Sequence, residues 1–441
     1  MKLTKYKLGK LVEISRGASL SGEYYATEGE LIRLTLGHFD YQNGGFKDNT
    51  SKDNLYFIGT VKSEFIMSEG DIITPLTEQT PGLLGSTARI PQSGIYIQSQ
   101  DVALVRPNHL LDSDFCYYLL PSALVKKQLA AGAQQTKIRH TTPDRIKDLT
   151  VFIPELEEQK RIGHLLSLID RKIALNREIN RNLEAMARQL YDYWFVQFDF
   201  PNADGKPYKS SGGKMVWNDR LKREIPENWE VRLLETLIFT NRGISYNTAS
   251  ISGDGIPMLN LATFNVDGTF KEKGLKTYSG NYSKDKVLQP MDLVMCNTQQ
   301  TAIDFDKDII GKAFLVPFYF DGDVVSSHHV TTIETTNKNL KPYLCYLSRT
   351  DHFHRYAAGC TTGTNITGLN FTGLGKYLME LPPEIILKKF ADFIENIERR
   401  KSIIMLEVSN LLTQRDELLP LLMNGQVSVM PSAVNCDLSH D

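Results

Sequence analysis

Hydroxyl and amide side chains recur at corresponding places in the two halves of the sequence. Thr77, Gln79 and Thr80 follow an apolar run at 72–75, and a Thr-Gln-Gln-Thr segment at 298–301 follows a similar run at 293–296. Such groups suit hydrogen bonds to the edges of nucleic-acid bases, and a glutamine amide can pair with adenine through both its atoms. Recognition of bases is therefore one candidate chemistry, and polar residues that serve only turns are the plain alternative.

Other polar segments follow the same logic, and Arg16 and Arg242 lie at matched turns where they could hold phosphate. Together these residues form the predicted DNA-binding set. The first half of the chain contributes Arg16, Thr77, Gln79, Thr80, Ser99, Gln100, Gln134, Gln135, Thr136, Lys137, Arg139 and His140. The second half contributes Arg242, Thr298, Gln299, Gln300, Thr301, Ser327, His328, His329, Thr361, Thr362, Thr364 and Asn365.

Patterns that would indicate catalysis are weak. The glycines at 371–375 resemble a methyltransferase motif, but no strand–turn–helix context surrounds them. Asp144 with Glu158 and Lys160 resembles a nuclease pattern, which requires these groups to gather around a metal at adjoining strand ends. Because Glu158 and Lys160 fall on the first turns of a predicted helix, helix capping and partner docking explain them better. We therefore predict no catalytic residues in this chain.

Ordinary structural roles also explain the residues that could suggest a metal site or a base-stacking site. His328–His329 and the His352-x-His354 pair lack a cysteine or carboxylate at ligand spacing, so we predict no metal site. The aromatic residues at 194–200 could stack on bases, but we expect them to fix the end of a helix onto a globular domain.

The composition is that of an ordinary globular protein. The 441 residues are 41% hydrophobic and 23% charged, no apolar run approaches a membrane span, and the start lacks a signal-peptide core. Five scattered cysteines without a CxxC pair argue for a reducing cytoplasm and against a disulfide framework or zinc site. The net charge of −2 provides no global basic field, so DNA binding would need local patches.

The element expected to position the polar segments is a long helix at 154–195. Glutamates crowd its first turn, where negative charge suits the helix dipole. Apolar residues follow alternating steps of four and three, which is the pattern of a coiled-coil seam. Asn176 and Asn180 interrupt this seam at positions that a partner helix would have to match. The predicted seam comprises Ile162, Leu166, Ile169, Ile173, Leu183 and Leu190.

A second long helix at 383–424 repeats the first. Ile162 aligns with Phe390, and the rest of the seam follows at the same spacing. The two helices are therefore expected to pair with each other. The second seam comprises Phe390, Ile394, Ile397, Ile404, Leu411 and Leu418.

The repeat extends to the segments before each helix. Short β-branched strands alternate with turns in both, and each ends in a helical piece, at 114–129 and at 340–356. We predict an α+β fold in which two similar globular α/β domains are joined by two long antiparallel coiled-coil helices, with an internal pseudo-twofold duplication. The predicted segments are a first domain at 1–153, a helix at 154–195, a surface connector at 196–228, a second domain at 229–382, a helix at 383–424 and a loose tail at 425–441.

The order of the segments also favours antiparallel helices. Each helix would be roughly 60 Å long at 1.5 Å per residue, whereas a domain of this size has a radius of gyration of about 16 Å. The second domain could not easily return the chain to the start of a parallel partner. Two similar globular domains at a fixed separation would suit the recognition of two different sites on one DNA duplex.

The sequence resembles the specificity subunit of type I restriction-modification systems. The resemblance rests on FIPELEEQKRIGHLLSLIDRKI at 152–173, YDYWFVQFDFP at 191–201 and REIPENWEV at 223–231, and it extends over essentially the whole chain. The second copy departs from the motif, because PEIILKK at 383–389 replaces ELEEQKR.

This resemblance implies a non-catalytic reader of DNA. Each globular domain would be a target recognition domain for one half of an asymmetric, bipartite site in double-stranded DNA. The helix pair would set the gap and dock two adenine-N6 methyltransferase subunits, which would bring S-adenosylmethionine, and motor-nuclease subunits would join them. The chain itself would need no cofactor and no membrane. Two alternatives are a coiled-coil scaffold between two protein partners and a self-contained restriction or methylation enzyme.

Overall fold

The structure is a computed structural model that describes residues 1–41, 44–78, 82–132, 139–251, 253–300, 304–364 and 366–430. It divides into two compact units. The first unit comprises Met1–Ala174 with Ser409–Asp441, and the second unit comprises Leu175–Val408. Each unit thus contains one globular domain and a part of each long helix.

The first unit contains twelve short strands among its described residues. They are β1 Thr4–Lys7, β2 Val12–Arg16, β3 Tyr25–Ala26, β4 Ile32–Arg33, β5 Tyr56–Phe57, β6 Ile72–Pro75, β7 Thr77–Glu78, β8 Ala88–Arg89, β9 Tyr96–Ile97, β10 Val102–Pro107, β11 Arg139–His140 and β12 Thr150–Ile153. Three short helices accompany them: α1 Ser113–Leu119, α2 Ala123–Gly132 and α3 Pro143–Lys147. The long helix α4 follows at Leu156–Tyr191 and continues into a π-helical turn at Asp192–Val196.

The second unit follows the same plan after an added hairpin. Its strands are β13 Met215–Asn218, β14 Arg223–Pro226, β15 Glu230–Leu233, β16 Ile238–Arg242, β17 Ile256–Leu259, β18 Lys276–Tyr278, β19 Leu293–Cys296, β20 Thr298–Gln300, β21 Ala313–Leu315, β22 Val325–Ser326, β23 Val330–Thr335, β24 Thr361–Thr362, β25 Ile366–Leu369 and β26 Leu378–Leu381. Its helices are α5 Leu340–Leu347, α6 Asp351–Gly359, α7 Phe371–Leu374 and the long α8 Glu384–Met423.

The two globular domains share one sheet topology. The main sheet has the order β2-β10-β6-β8 in the first and β16-β23-β19-β21 in the second, with antiparallel neighbours throughout. The first strand of each domain pairs with the last, β1 with β12 and β15 with β26. In each, one parallel pair also recurs, β4 with β9 and β17 with β22. The predicted fold class and internal duplication are therefore confirmed.

The two long helices run antiparallel where they meet inside the second unit. Asn176 Nδ2 donates a hydrogen bond of 2.9 Å to Glu407 Oε2, and further along α4 Glu184 lies 2.5 Å from Lys401 Nζ. Higher numbers on α4 thus meet lower numbers on α8. In the first unit Asp170 lies 3.0 Å from Arg415. The seam asparagine is paired across the helices, as a register-setting residue should be.

The predicted seam residues all lie inward. Ile162, Leu166, Ile173, Phe390, Ile394 and Ile397 are buried, while Ile169, Leu183, Leu190, Ile404, Leu411 and Leu418 are half-buried.

Three local predictions differ from the structure. Each predicted helical piece is two helices, because a turn separates α1 from α2 and another separates α5 from α6. The polar segments after β6 and β19 begin as short strands rather than loops, since threonine favours extended backbone and β11 and β25 supply pairing partners.

The connector at 196–228 is more than a surface link. Phe198 and Phe200 are buried in the core of the second unit, where both contact the ring of Trp229. The aromatic residues after α4 therefore fix the helix end onto a globular domain, and they leave no open platform for stacking on bases.

Candidate nucleic-acid interface

In the first globular domain, Arg16 ends β2 and is held by a neighbouring strand end. Its Nε donates a hydrogen bond of 2.8 Å to the main-chain oxygen of Gln100, and the Nη groups have no hydrogen bond to any described residue. Gly17 permits this contact because a Cβ there would collide with the main-chain oxygens of Gln98 and Ser99. The guanidinium is therefore oriented by one nitrogen and exposed at its other end, which suits an anion.

The second domain builds the same turn from different residues. Arg242 Nε donates a hydrogen bond of 3.0 Å to the main-chain oxygen of His328. A Cβ at Gly243 would collide with the main-chain oxygens of Ser326 and Ser327. In both domains the residue after the glycine forms a parallel bridge with the opposing strand end, Ala18 with Ser99 and Ile244 with Ser327. The two arginines thus occupy equivalent, preorganised positions.

A second polar surface in the first domain is the pair of strands β7 and β11. Glu78 is buried and accepts hydrogen bonds from the main-chain nitrogens of Gly82 and Leu84, each at 3.0 Å. Its other carboxylate oxygen lies 3.5 Å from Arg139 Nη1. The Glu78 carboxylate therefore holds the main chain at Gly82 and Leu84 and anchors Arg139, while the neighbouring His140 is exposed.

The corresponding surface of the second domain is the sheet β20-β25-β24. Gln299 lies opposite Thr367, whose hydroxyl donates to the Gln299 main-chain oxygen at 3.2 Å. Thr362 and Thr364 are exposed, whereas the Thr361 hydroxyl is used to bond the main-chain oxygen of Ala358. Among the described residues of this sheet, hydroxyl groups are present and no charged side chain corresponds to Arg139.

Beside Arg242 lies a group of basic and aromatic side chains. The rings of His328 and His329 are 3.8 Å apart between centroids, and the Tyr246 ring lies 5.5 Å from that of His328. Lys276 Nζ lies 5.8 Å from the centre of the Tyr246 ring. Burial lowers the pKa of His329, and the neighbouring His328, Arg242 and Lys276 lower it further.

Three predicted contact residues are enclosed. Thr77 and Thr298 are buried, and the Thr298 hydroxyl bonds the side-chain oxygen of Asn297. Ser327 is fully buried because Gly243 packs against its main chain. These three side chains do not reach a ligand surface in this structure. The polar-segment pattern could not distinguish them, since hydroxyl residues serve turns and recognition equally well.

Ser99 and Gln100 have internal partners. The Ser99 hydroxyl donates to the main-chain oxygen of Leu34 at 2.6 Å, and the exposed Gln100 side chain accepts a hydrogen bond from Ser19 Oγ at 3.2 Å. Nine predicted residues cannot be fully placed. The side chain of Gln300 lies outside the described part of the chain, and so do eight whole residues: Gln79, Thr80, Gln134, Gln135, Thr136, Lys137, Thr301 and Asn365.

Sequence reasoning missed four members of this surface. Ser19 holds the side chain of Gln100, while Tyr246 and Lys276 flank the histidine pair. Lys286 Nζ bonds the main-chain oxygen of Arg242 at 2.9 Å and the side chain of Asn241. Ser19 and Tyr246 lie within four residues of Arg16 and Arg242, which is a usable sequence signal, whereas Lys276 and Lys286 reach the site only through the tertiary fold.

A buried charge network ties the second domain to both long helices. Glu184 of α4 lies 2.6 Å from Arg349 of the second domain and 2.5 Å from Lys401 of α8. Lys401 also lies 2.8 Å from Glu398. Burial by itself raises the pKa of Glu184, but Arg349 and Lys401 outweigh it and lower that pKa to about 2. The carboxylate is therefore charged at neutral pH and fixes the domain on the helix pair.

The first domain has a related contact. The Tyr118 hydroxyl donates to Asp170 of α4 at 2.6 Å, and Arg415 of α8 lies 3.0 Å from the same carboxylate. Across residues 1–430, apart from the gaps given above, no cluster of three or more histidine, cysteine or acidic residues could hold a metal. Over those same residues, no helix is both long and apolar enough to cross a membrane.

Comparison with known proteins gives one family. Residues 2–185 match the model of the type I restriction modification DNA specificity domain. The type I restriction enzyme MjaIX specificity subunit of Methanocaldococcus jannaschii is 24% identical over 328 residues, which are 72% of this chain and 69% of that protein. The MjaVIII specificity subunit of the same organism is 22% identical over 380 residues, 85% of this chain and 83% of that protein.

A solved structure has the same fold. The crystal structure of the S subunit of a type I restriction-modification system from M. genitalium aligns with a TM-score of 0.57 and 16% identity, and the alignment covers 96% of each chain. Residues 2–185 thus carry a type I restriction modification DNA specificity domain, and the chain as a whole is similar to the specificity subunits of type I restriction enzymes.

Proposed function

We propose that this chain reads a bipartite, asymmetric target in double-stranded DNA, with each globular domain reading one half. The observation that carries the proposal is the pair of equivalent arginine turns, Arg16 on Gln100 and Arg242 on His328, in domains of one topology. Two copies of one arginine turn would suit two segments of the same DNA phosphate backbone. The duplication within a single chain allows the two halves to differ in sequence.

Arg16 and Arg242 serve as phosphate anchors in this proposal. Each guanidinium is oriented through Nε by a main-chain oxygen, which leaves its Nη groups for a bidentate contact. Contacts of this kind position a protein on DNA without distinguishing bases. They also supply locally the positive charge that the net charge of −2 lacks.

Base selectivity comes from the residues that differ around the equivalent turns. The first domain places Gln100 at its turn and Arg139 and His140 on its second polar surface, and the second domain places His328 and His329 at its turn. Glutamine, arginine and histidine offer different donor and acceptor patterns to base edges in the major groove. The two domains would therefore select different bases from similar positions.

The long helices dock two adenine-N6 methyltransferase subunits, which bring S-adenosylmethionine and through which the motor-nuclease subunits join. Support comes from α4 and its π-helical extension within the second unit, where Leu175, Ile179, Met186 and Tyr193 are 37–56% exposed. They are spaced by four and then seven residues, so they form one stripe along the helix. Exposed apolar stripes of this kind mark protein interfaces.

A binding assay separates DNA reading from a scaffold role. Fluorescent random duplex is titrated with the purified chain alone and with the chain co-expressed with its methyltransferase subunit. The proposal predicts saturable binding by the co-expressed complex that weakens steeply as salt rises. A scaffold between two proteins, the alternative favoured by the net charge and the helix pair, would bind no duplex in either preparation.

A further inference from the structure

His328 and His329 form an unusual pair within the second globular domain. Their ring centroids are 3.8 Å apart with an interplanar angle of 41°. Nδ1 of each ring is buried and has no hydrogen-bond partner among the described residues. A buried polar atom without a partner is costly, and two on neighbouring residues indicate a site completed by something else.

The side chains around this pair are mainly cationic. Arg242 of β16 is hydrogen-bonded to the main-chain oxygen of His328, and Lys276 of β18 lies over Tyr246, whose ring faces His328. Lys286 bonds the main-chain oxygen of Arg242, and the carboxylate of Asp285 lies 3.7 Å from Lys286 Nζ. Asn297 donates to the main-chain oxygen of His328 and brings no charge.

We infer that the second globular domain takes up one proton at the His328–His329 pair when it engages a DNA phosphate, an inference that rests on the proposed function. In the free protein, burial and the surrounding cations lower the pKa of His329 and keep it neutral near pH 7. A phosphate drawn to Arg242 brings negative charge beside the rings and favours the imidazolium form.

The geometry limits the uptake to a single proton. Two imidazolium ions at a centroid separation of 3.8 Å would repel strongly, so the pair would hold one added proton rather than two. Both side chains are half-buried, so one imidazolium would add positive charge beside the phosphate that Arg242 holds.

The first domain provides an internal contrast. Gln100 accepts from Arg16 at the position where His328 accepts from Arg242, and Asp101 follows it where His329 follows His328. Neither of these positions in the first domain carries an imidazole, the side chain whose ordinary charge change lies closest to neutral pH. Proton uptake should therefore accompany binding by the second domain to its half of the target, and not binding by the first domain.

The test is calorimetry on the complex of the full chain with its methyltransferase subunit. The probe is a duplex that carries the methylated motif missing from the host when this gene is deleted. Binding is measured near neutral pH in phosphate and in Tris buffer, whose ionisation enthalpies differ. We expect a buffer-dependent enthalpy equivalent to about one proton, and an affinity that rises up to about tenfold per unit fall in pH between about pH 8 and 6.

Two variants assign the proton. The double variant His328→Gln/His329→Asn should bind with buffer-independent enthalpy, and His352→Gln, an exposed histidine of the same domain, should keep the uptake. Wild-type binding without proton uptake, or full uptake by the double variant, would overturn the inference while leaving the proposed function intact. Absence of binding by the wild type at every pH would overturn both.

Discussion

Arg242 Nε donates a hydrogen bond to the main-chain oxygen of His328 at 3.0 Å, and the first domain repeats this contact between Arg16 and Gln100 at 2.8 Å. A hydrogen bond to a main-chain oxygen does not depend on the side chain of the residue that carries that oxygen. The fold can therefore keep the arginine fixed while the residue beneath it changes from glutamine to histidine. In the proposed function, this arrangement would separate the anchoring of DNA from the selection of bases.

Removal of either arginine should weaken binding without changing the motif. Arg16→Ala and Arg242→Ala should each lower the slope of log affinity against log salt by about 1, because one phosphate contact is lost. The methylated motif should stay the same. Affinity is measured over a salt series, with the exposed Arg106→Ala in the first domain as control. An unchanged slope in both variants would contradict the anchoring role.

The glycines after the two arginines should be intolerant of any side chain. In Gly17→Ala and Gly243→Ala, the added Cβ would overlap main-chain oxygens, so the arginine turn must shift. We expect each variant to reproduce the binding loss of its neighbouring arginine variant. Gly253→Ala, where a Cβ meets no atom within 4 Å, is the matched control. Wild-type affinity in both turn variants would show that the turn geometry is unimportant.

Glu184 should be essential for the stability of the second unit. Glu184→Gln leaves Arg349 and Lys401 without their shared carboxylate, and breaking a buried ion pair typically costs about 3–5 kcal/mol. Urea unfolding of the full chain measures the loss. Glu178→Gln, an exposed change on the same helix, should have little effect. Equal midpoints for the two variants would show that the network does not hold the domain.

The same carboxylate gives a pH dependence of defined sign. Because the folded protein lowers the pKa of Glu184 to about 2, its contribution to stability is complete above the ordinary glutamate value near 4.5. That contribution declines as the pH falls from there and is lost below about 2. The stability difference between wild type and Glu184→Gln should therefore shrink over this range, as followed by unfolding at a series of pH values. A difference that grows on acidification would have the wrong sign.

The exposed stripe on α4 should be needed for partner docking rather than folding. Leu175→Glu and Met186→Glu place charge on residues that are 56% and 51% exposed, so the chain itself should remain folded. Both should reduce co-purification of the methyltransferase subunit, measured by affinity capture from a co-expressing host. Arg181→Glu, exposed on the same helix but outside the stripe, is the control. Unchanged capture with both stripe variants would exclude this docking surface.

The internal sequence repeat made the fold predictable, whereas only some residues of the candidate site could be predicted from sequence. Seam periodicity located α4 and α8 within a few residues, since spacing along a helix determines which side chains face its partner. The places of Arg16 and Arg242 in the repeat predicted their matched turns, while their role in DNA binding stays a prediction. Ser327 was misjudged and Lys276 missed, because burial and proximity to the site depend on strands distant in sequence.

The central claim is that one chain specifies two separate runs of bases through two similar domains. Methylome sequencing of the host with and without this gene tests it most directly. We predict that deletion abolishes one N6-methyladenine motif made of two short specified runs separated by unspecified bases. If every methylated motif persists, or the motif that disappears is one continuous run, the account is contradicted.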